Sequence, residues 1–350
     1  MKPMTPFFAL FLLCAACRQT VDYSQPVFAL SPETELLFLD STAASVAITQ
    51  DTMTEFFQRL RPLDMHIQMK QSHPVDSTQS RYLQQYLRYI AQDVVDFSTA
   101  EKRMLHGVFK QAYHLAGQVN GSLFPERVQL IKTKGRHFGN SAFYTRNRCI
   151  IIPANELEEA YPQTLLQVML HELSHLYTRY HPERAEELYQ LVGFSPLDLP
   201  LQLPDTLSCR LLLNPDGVDH AYGIRLLDGN RPLLAVPIIR SNETSFQPHK
   251  QLYFQYLQFD LYETQLRDDV YTLLSNPDGS TTLNWKNNET FYQQITHNTD
   301  YIIHPDEIVA ENFMMLLLSQ NDKHYLSKLQ PDGKILLDAV ERVLKKETAL

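Results

Sequence analysis

The chain divides into stretches whose apolar residues recur every three or four positions and stretches whose apolar residues alternate or run together. From residue 28 to 123 the helical period dominates. In "YLQQYLRYIAQDVVDF" the residues Leu83, Tyr86, Leu87, Ile90, Val94 and Phe97 fall at helical spacing, which predicts an amphipathic helix that buries one stripe. "STAEKRMLHGVFKQAYHLAG" opens on Ser98 and carries Glu101 three residues later, the signature of a capping box at a helix start. Stripes of this kind predict core packing, and His66, His73, His106 and His114 among them read as surface or structural side chains.

From Phe124 the texture changes. "RVQLIKT" and "SAFYTRNRCIIIP" are rich in β-branched and aromatic residues and are bounded by "KGRHFGN" and Pro153, so they read as strands around a turn. A helix is then predicted from about Gln163 to Tyr180, with Pro162 suited to its first turn and His181-Pro182 ending it. "ERAEELYQLV" predicts a second helix that stops at Gly193.

Residues 195–300 read as a β-rich insertion. In "QLYFQYLQFDLY" Tyr253, Gln255, Leu257, Phe259 and Leu261 share one face of an extended run. The two "NPDG" segments, Asn214 to Gly217 and Asn276 to Gly279, read as ordinary turn chemistry. Helices return at Asp306–Leu318 and from Lys334 to about Lys345. The expected organisation is α+β: a leader (1–16), a linker (17–27), a helical N-terminal region (28–123), strands with a central helix (124–194), the insertion (195–300) and C-terminal helices (301–350).

Composition narrows the class. With 350 residues, 44% of them hydrophobic, the chain can bury a sizeable core. Thirty-one Lys and Arg against 40 Asp and Glu give a formal charge of −9 without a basic block, so no nucleic-acid partner is expected. The leader "MKPMTPFFALFLLCAACRQT" joins Lys2 to a short apolar run ending in small residues, the layout of an export signal and too short to span a bilayer. Its close on Ala15-Ala16-Cys17 resembles the lipobox of bacterial lipoproteins, although Cys14 stands where that motif usually has leucine. The resemblance implies lipidation at Cys17, an N-terminal membrane anchor and residence in the cell envelope, at the outer membrane facing the periplasm or the cell surface. Cys149 and Cys209 are the remaining cysteines. Export permits a disulfide between them, and two separate thiols fit the sequence equally well.

The chemistry is concentrated in "LLQVMLHELSHLYTRY", Leu165 to Tyr180. Residues four apart share a helix face, so His171 and His175 can aim their imidazoles at one point, as a zinc ion about 2.0–2.1 Å from each nitrogen requires. Glu172 is turned about 100° from His171. That sets its carboxylate beside the metal, where it can act as general base on a metal-activated water. The apolar neighbours Val168, Leu170, Leu173 and Leu176 predict a buried helix. A hydrolytic zinc site wants three protein ligands and one open position. No third histidine follows shortly within the helix, because His181 lies beyond its end.

The third ligand must come from farther along, and "HPDEIVAENFMMLLL" offers it. Glu307 and Glu311 lie one turn apart on a helix seated by Ile308, Val309, Phe313 and Leu316, and two buried acids need a cationic partner. Glu307 is the favoured ligand because it leaves a carboxylate one turn on for support; Asp306, Glu311 and His304 are the other candidates. HELSH followed far downstream by a Glu-x-x-x-Glu helix resembles the gluzincin branch of zinc metallopeptidases, the branch that includes thermolysin. That resemblance implies a zincin-like core in which His171, His175 and Glu307 hold zinc and Glu311 orients His171. It also implies that the strand before the motif helix receives substrate backbone. The segments "LYQLVGF" and "YIIHPDEIVAENF" are in addition similar to uncharacterised bacterial lipoproteins, which imply no substrate. More than a hundred residues separate the two helices, and the fuller glutamate-helix signature of thermolysin is missing.

The expected activity is peptide hydrolysis with Glu172 as base. Tyr301 and His304 are candidate donors to the oxyanion, and Tyr144 and His220 are weaker ones. Two other readings stay open: a catalytically silent lipoprotein whose insertion binds a partner, and hydrolysis of a non-peptide amide such as one in the cell wall.

Overall fold

The computed structural model describes residues 21–71, 79–158, 161–322 and 324–346, so the leader with Cys17, and also His73, lie outside the described residues. The protein is α+β. Its first sheet comprises β1 (Val27–Ala29), β2 (Glu35–Phe38), β3 (Val94–Val95), β4 (Arg127–Thr133), β5 (Tyr144–Arg146) and β6 (Cys149–Pro153). They lie in the order β1-β2-β4-β6-β5, with β3 beside β4. β2, β4 and β6 run parallel, while β1 and β5 close the two edges antiparallel.

Central parallel strands are covered on both faces, which is why β6 reads as an unbroken apolar run. Ile150 and Ile152 project into one apolar cluster, which holds the capped helix Thr99–Val119, the motif helix Pro162–Tyr180 and the glutamate helix Pro305–Ser319. Cys149 and Ile151 project into a second cluster, with the helices Pro62–Met69 and Gln79–Ala91. Side chains alternate along a strand, so each residue of β5 and β6 is committed to one face or the other.

The insertion builds a second sheet from β7 (Phe194–Pro196), β8 (Leu201–Gln202), β9 (Tyr222–Asp228), β10 (Arg231–Ser241), β11 (Leu257–Arg267) and β12 (Val270–Leu273), ordered β7-β9-β10-β11-β12-β8. The hairpins β9–β10 and β11–β12 use tight loops. Asp268 and Asp269, both at positive φ, join β11 to β12, as a two-residue turn that matches strand twist demands. The insertion also shares both apolar clusters, through Ile224 and Leu261 on one side and Val236 and Ile238 on the other.

The structure differs from the sequence expectations in four places, one being that "SAFYTRNRCIIIP", read as a single strand, is the hairpin β5–β6 turning at Asn147 and Arg148. The N-terminal region is mainly helical, yet β1, β2 and β3 come from it; strands of two to four residues are too short to show a period. The helix expected to reach Phe97 ends at Ala91, after which Val94 and Val95 pair with β4. The face proposed for Tyr253 to Leu261 is broken, because Tyr253–Gln255 is a 3₁₀ turn and β11 begins at Leu257. The capping box is present as read: Glu101 N–H donates to Ser98 Oγ and Ser98 N–H to Glu101 Oε2. Cys149 is a buried free thiol and Cys209 an exposed one. No helix among the described residues is long and apolar enough to cross a membrane.

Two measurements test this packing. Phe109→Ala, at a fully buried position, is expected to lower the unfolding free energy by about 3–5 kcal/mol in urea titrations. Asp64 is buried and accepts from Gln68 Nε2 at 2.7 Å and the Leu213 N–H at 2.9 Å. Burial nevertheless pushes its carboxyl up to about 6. Because the folded value exceeds the unfolded one, the folded state holds the extra proton between about pH 4 and 6. Stability from this group is therefore lost as pH rises through that window, by on the order of 3 kcal/mol. Asp64→Asn is expected to flatten that component when urea midpoints of the two proteins are compared at pH 4 and 7.

Candidate metal centre

The motif helix begins with Pro162 at its first turn and ends at His181, where the following proline forbids another turn. It lies against the glutamate helix, whose N-terminus is capped by His304 and begins with Pro305. That helix is buried along most of its length, which explains why its sequence carries so few polar residues. Charged groups at its start therefore have to be satisfied inside the protein.

Three donor atoms converge between the two helices. His171 Nε2 lies 3.1 Å from Glu307 Oε2, His175 Nε2 lies 3.0 Å from His171 Nε2, and His175 Nε2 lies 3.4 Å from Glu307 Oε2. Two ligands on a tetrahedral ion at about 2.0–2.1 Å stand roughly 3.3 Å apart, so the spacing suits such an ion. His171, His175 and Glu307 form the one group among the described residues with the geometry to hold a metal.

The surrounding hydrogen bonds fix which atoms face inward. His171 Nδ1–H donates to Glu311 Oε1 at 2.9 Å, and His175 Nδ1–H donates to Asp306 Oδ2 at 2.7 Å. With each Nδ1 proton committed to a carboxylate, both Nε2 atoms face the centre and offer lone pairs once their own protons are lost. Asn214 Nδ2 donates to Glu307 Oε1 at 2.6 Å, leaving Oε2 as the inward oxygen. Tyr189 donates to Asp306 Oδ1 at 2.7 Å and so fixes the carboxylate that orients His175. A buried carboxylate between two imidazoles needs positive charge beside it, which ring protons or a bound cation can supply. The protonation tendencies show the rings holding that charge themselves. Burial acts to lower His171, yet its bonds to Glu307 and Glu311 win and raise it to about 9; His175 is likewise raised well above its usual value despite burial, chiefly by Glu307. Burial would raise Glu307, but the histidines hold it well below the usual range.

Glu172 sits beside this cluster, 3% exposed, with Oε2 carrying no hydrogen bond. Burial first, and then the carboxylate of Asp216, push it up to about 8. Glu172, His171, Glu307 and Tyr301 line one cavity of about 360 Å³, bordered by Ser141, Ala142 and Phe143 just ahead of β5. The Tyr301 ring stacks on His171 at 5.9 Å between centroids. Although the residue is 39% exposed, desolvation of its hydroxyl and the nearby Glu307, Asp216 and Glu172 hold that hydroxyl well above the usual phenol range, so it remains a proton-bearing donor.

The other oxyanion candidates have different tasks. His304 Nδ1 accepts from the Asp306 N–H at 3.1 Å, a helix cap, and its ring lies against Gly217, where a Cβ would come within 2.2 Å of Nδ1. It borders a second cavity on the His175 side together with Asp306. Tyr144 points to the opposite face of the first sheet, where it bonds His137, itself bonded to Asp93. Strand alternation, invisible until the register is known, puts it there. His220 is lowered to about 4 by burial and by His304, and its Nε2 carries no hydrogen bond. Among the alternatives for third ligand, Asp306 and Glu311 orient the histidines.

Sequence reasoning passed over Asn214 and Asp216. Both belong to the first "NPDG" segment, whose turn chemistry gave no reason to place it at the centre. A scan against family models and searches of the curated proteins and of the solved structures find no match.

Two outcomes test the arrangement. Because the histidines hold protons that a metal must displace, zinc binding near pH 7 is expected to release protons and to tighten as pH rises; calorimetry in buffers of different ionisation enthalpy measures this. Asn214→Ala is expected to weaken zinc binding by about 10–100-fold in chelator competition, as loss of a group that orients a ligand does.

Proposed function

We propose that this chain is a zinc-dependent hydrolase of the zincin type that cleaves peptide bonds, with a gluzincin-like ligand set. The observation that carries the reading is the convergence of two imidazole nitrogens and one carboxylate oxygen, each turned inward by its own partner. Three protein ligands with one position left open is the donor set of hydrolytic rather than structural zinc.

A bound zinc ion supplies Lewis acidity, which acidifies water and polarises a carbonyl. Glu172, with an unpartnered buried oxygen next to the ligands, takes a proton from the attacking water as its oxygen bonds to the carbonyl carbon. As the carbon–nitrogen bond breaks, the same carboxyl returns that proton to the leaving amine. Tyr301 donates its hydroxyl hydrogen to the oxygen that gains charge. The apolar side chains of Phe143, Phe254 and Met314 beside the cavity suit a peptide substrate. The leader supports export and anchoring at Cys17, which would place the activity in the cell envelope.

Stoichiometric zinc is expected in the purified protein. Glu172→Gln is expected to retain zinc while kcat falls by about 10²–10⁴-fold, and Tyr301→Phe to lower kcat by about 10²–10³-fold with zinc retained. Absence of stoichiometric zinc from the wild-type protein overturns the reading.

A further inference from the structure

The cavity over the metal centre has a closed end. β5 is the edge strand of the first sheet, and the residues that precede it, Ser141 to Phe143, border the cavity. At Thr145 the edge is already occupied. The Thr145 N–H donates to Asp216 Oδ1 at 2.7 Å, and the Thr145 hydroxyl donates to the same oxygen at 2.5 Å. Ser141–Phe143 lie ahead of β5 and outside any strand, so an extended peptide laid along them toward β5 can go no farther than Asp216.

Strand polarity decides which end of a peptide stops there. Antiparallel pairing is the commoner polarity, and it runs the added strand from the Thr145 end toward Ser141. Its N-terminus then lies at Asp216. The Asp216 side chain is 5% exposed, and Oδ2 carries no hydrogen bond among the described residues. Arg179, 3.7 Å from Oδ1, approaches from the second cavity and not from this one.

The charge of the cavity points the same way. No lysine or arginine is among the residues that line it, whereas Glu172, Asp216, Glu307 and Glu311 do. With Asp306 behind His175, five carboxyl groups surround the centre, four of them ionised even where Glu172 keeps its proton. A divalent ion offsets two of them and Arg179 a third, so negative charge remains in a site where little water screens it. A substrate carboxylate is repelled there and an ammonium group is attracted.

The geometry points to a peptide with a free N-terminal ammonium as the substrate class, with Asp216 as the specificity-determining residue that receives that ammonium at the blocked end of the edge strand. This rests on the zinc hydrolase reading above and specifies its substrate. Binding at Asp216 leaves room for only the residues between the ammonium and the reacting carbonyl, so cleavage releases short N-terminal pieces.

The test compares zinc-loaded wild type with Asp216→Asn, which keeps an oxygen for Thr145. Peptides of one apolar sequence are used with a free amine, with an N-acetyl group, and with an N-acetyl group plus a lysine beside the scissile bond. Wild type is expected to prefer the free amine over the acetylated peptide at least tenfold in kcat/KM, and Asp216→Asn to reduce that ratio at least tenfold. The same ratios are read as inhibition constants or calorimetric affinities for peptidyl hydroxamates with free and acetylated amines, which need no turnover. Zinc content of both proteins serves as the check on folding. Equal handling of free and acetylated ligands overturns the proposal while the zinc reading stands. So does a ratio unchanged in Asp216→Asn, or a preference restored equally by the lysine side chain. A wild-type protein that holds no zinc and binds no hydroxamate overturns both.

Discussion

Two imidazole nitrogens and a carboxylate oxygen at 3.0–3.4 Å from one another, buried between two helices, are the constraint around which this protein is arranged. Groups that close need positive charge among them, from ring protons or from a bound cation, and they stay in place because each is held from behind. Glu311 and Asp306 take the imidazole protons, Tyr189 steadies Asp306, and Asn214 takes the spare oxygen of Glu307. The burial of the glutamate helix follows from the same need, since a carboxylate facing water would not be confined to one direction. The first sheet serves as a floor: Ile150 and Ile152 fix the apolar side on which both helices rest.

Much of this was legible in the chain because the relevant signals are local. His171 and His175 needed only a helical period, and the limits of their helix followed from Pro162 and Pro182. Glu307 and Glu311 announced themselves as acids one turn apart in an otherwise apolar helix, and the structure brings them to the histidines in the arrangement that spacing suggested. β4 was readable to the residue from "RVQLIKT".

What stayed hidden depends on contacts between distant parts. β1 and β2 are too short to have a period, and become strands only because β4 offers them a neighbour. Tyr144 and Thr145 could not be assigned to opposite faces before the register with β6 was known. Asp306, one position before the ligand, looked like a competitor for the metal; its carboxylate instead meets the far nitrogen of His175, a distinction that only three-dimensional placement makes. Asn214 and Asp216 were concealed most completely, since Asn, Pro, Asp and Gly in succession explain themselves as a turn and ask for no further role.

That turn bears on when the centre comes into being. Glu307 is oriented by a residue 93 positions upstream in the chain, and Gly217 of the same turn admits the His304 ring that caps the glutamate helix. The motif helix by itself carries two histidines and no third donor, and the set is complete only when this loop and the glutamate helix have docked on it. Whatever reactivity the cage supports is thus withheld until the tertiary structure is complete, a form of latency that needs no removable segment.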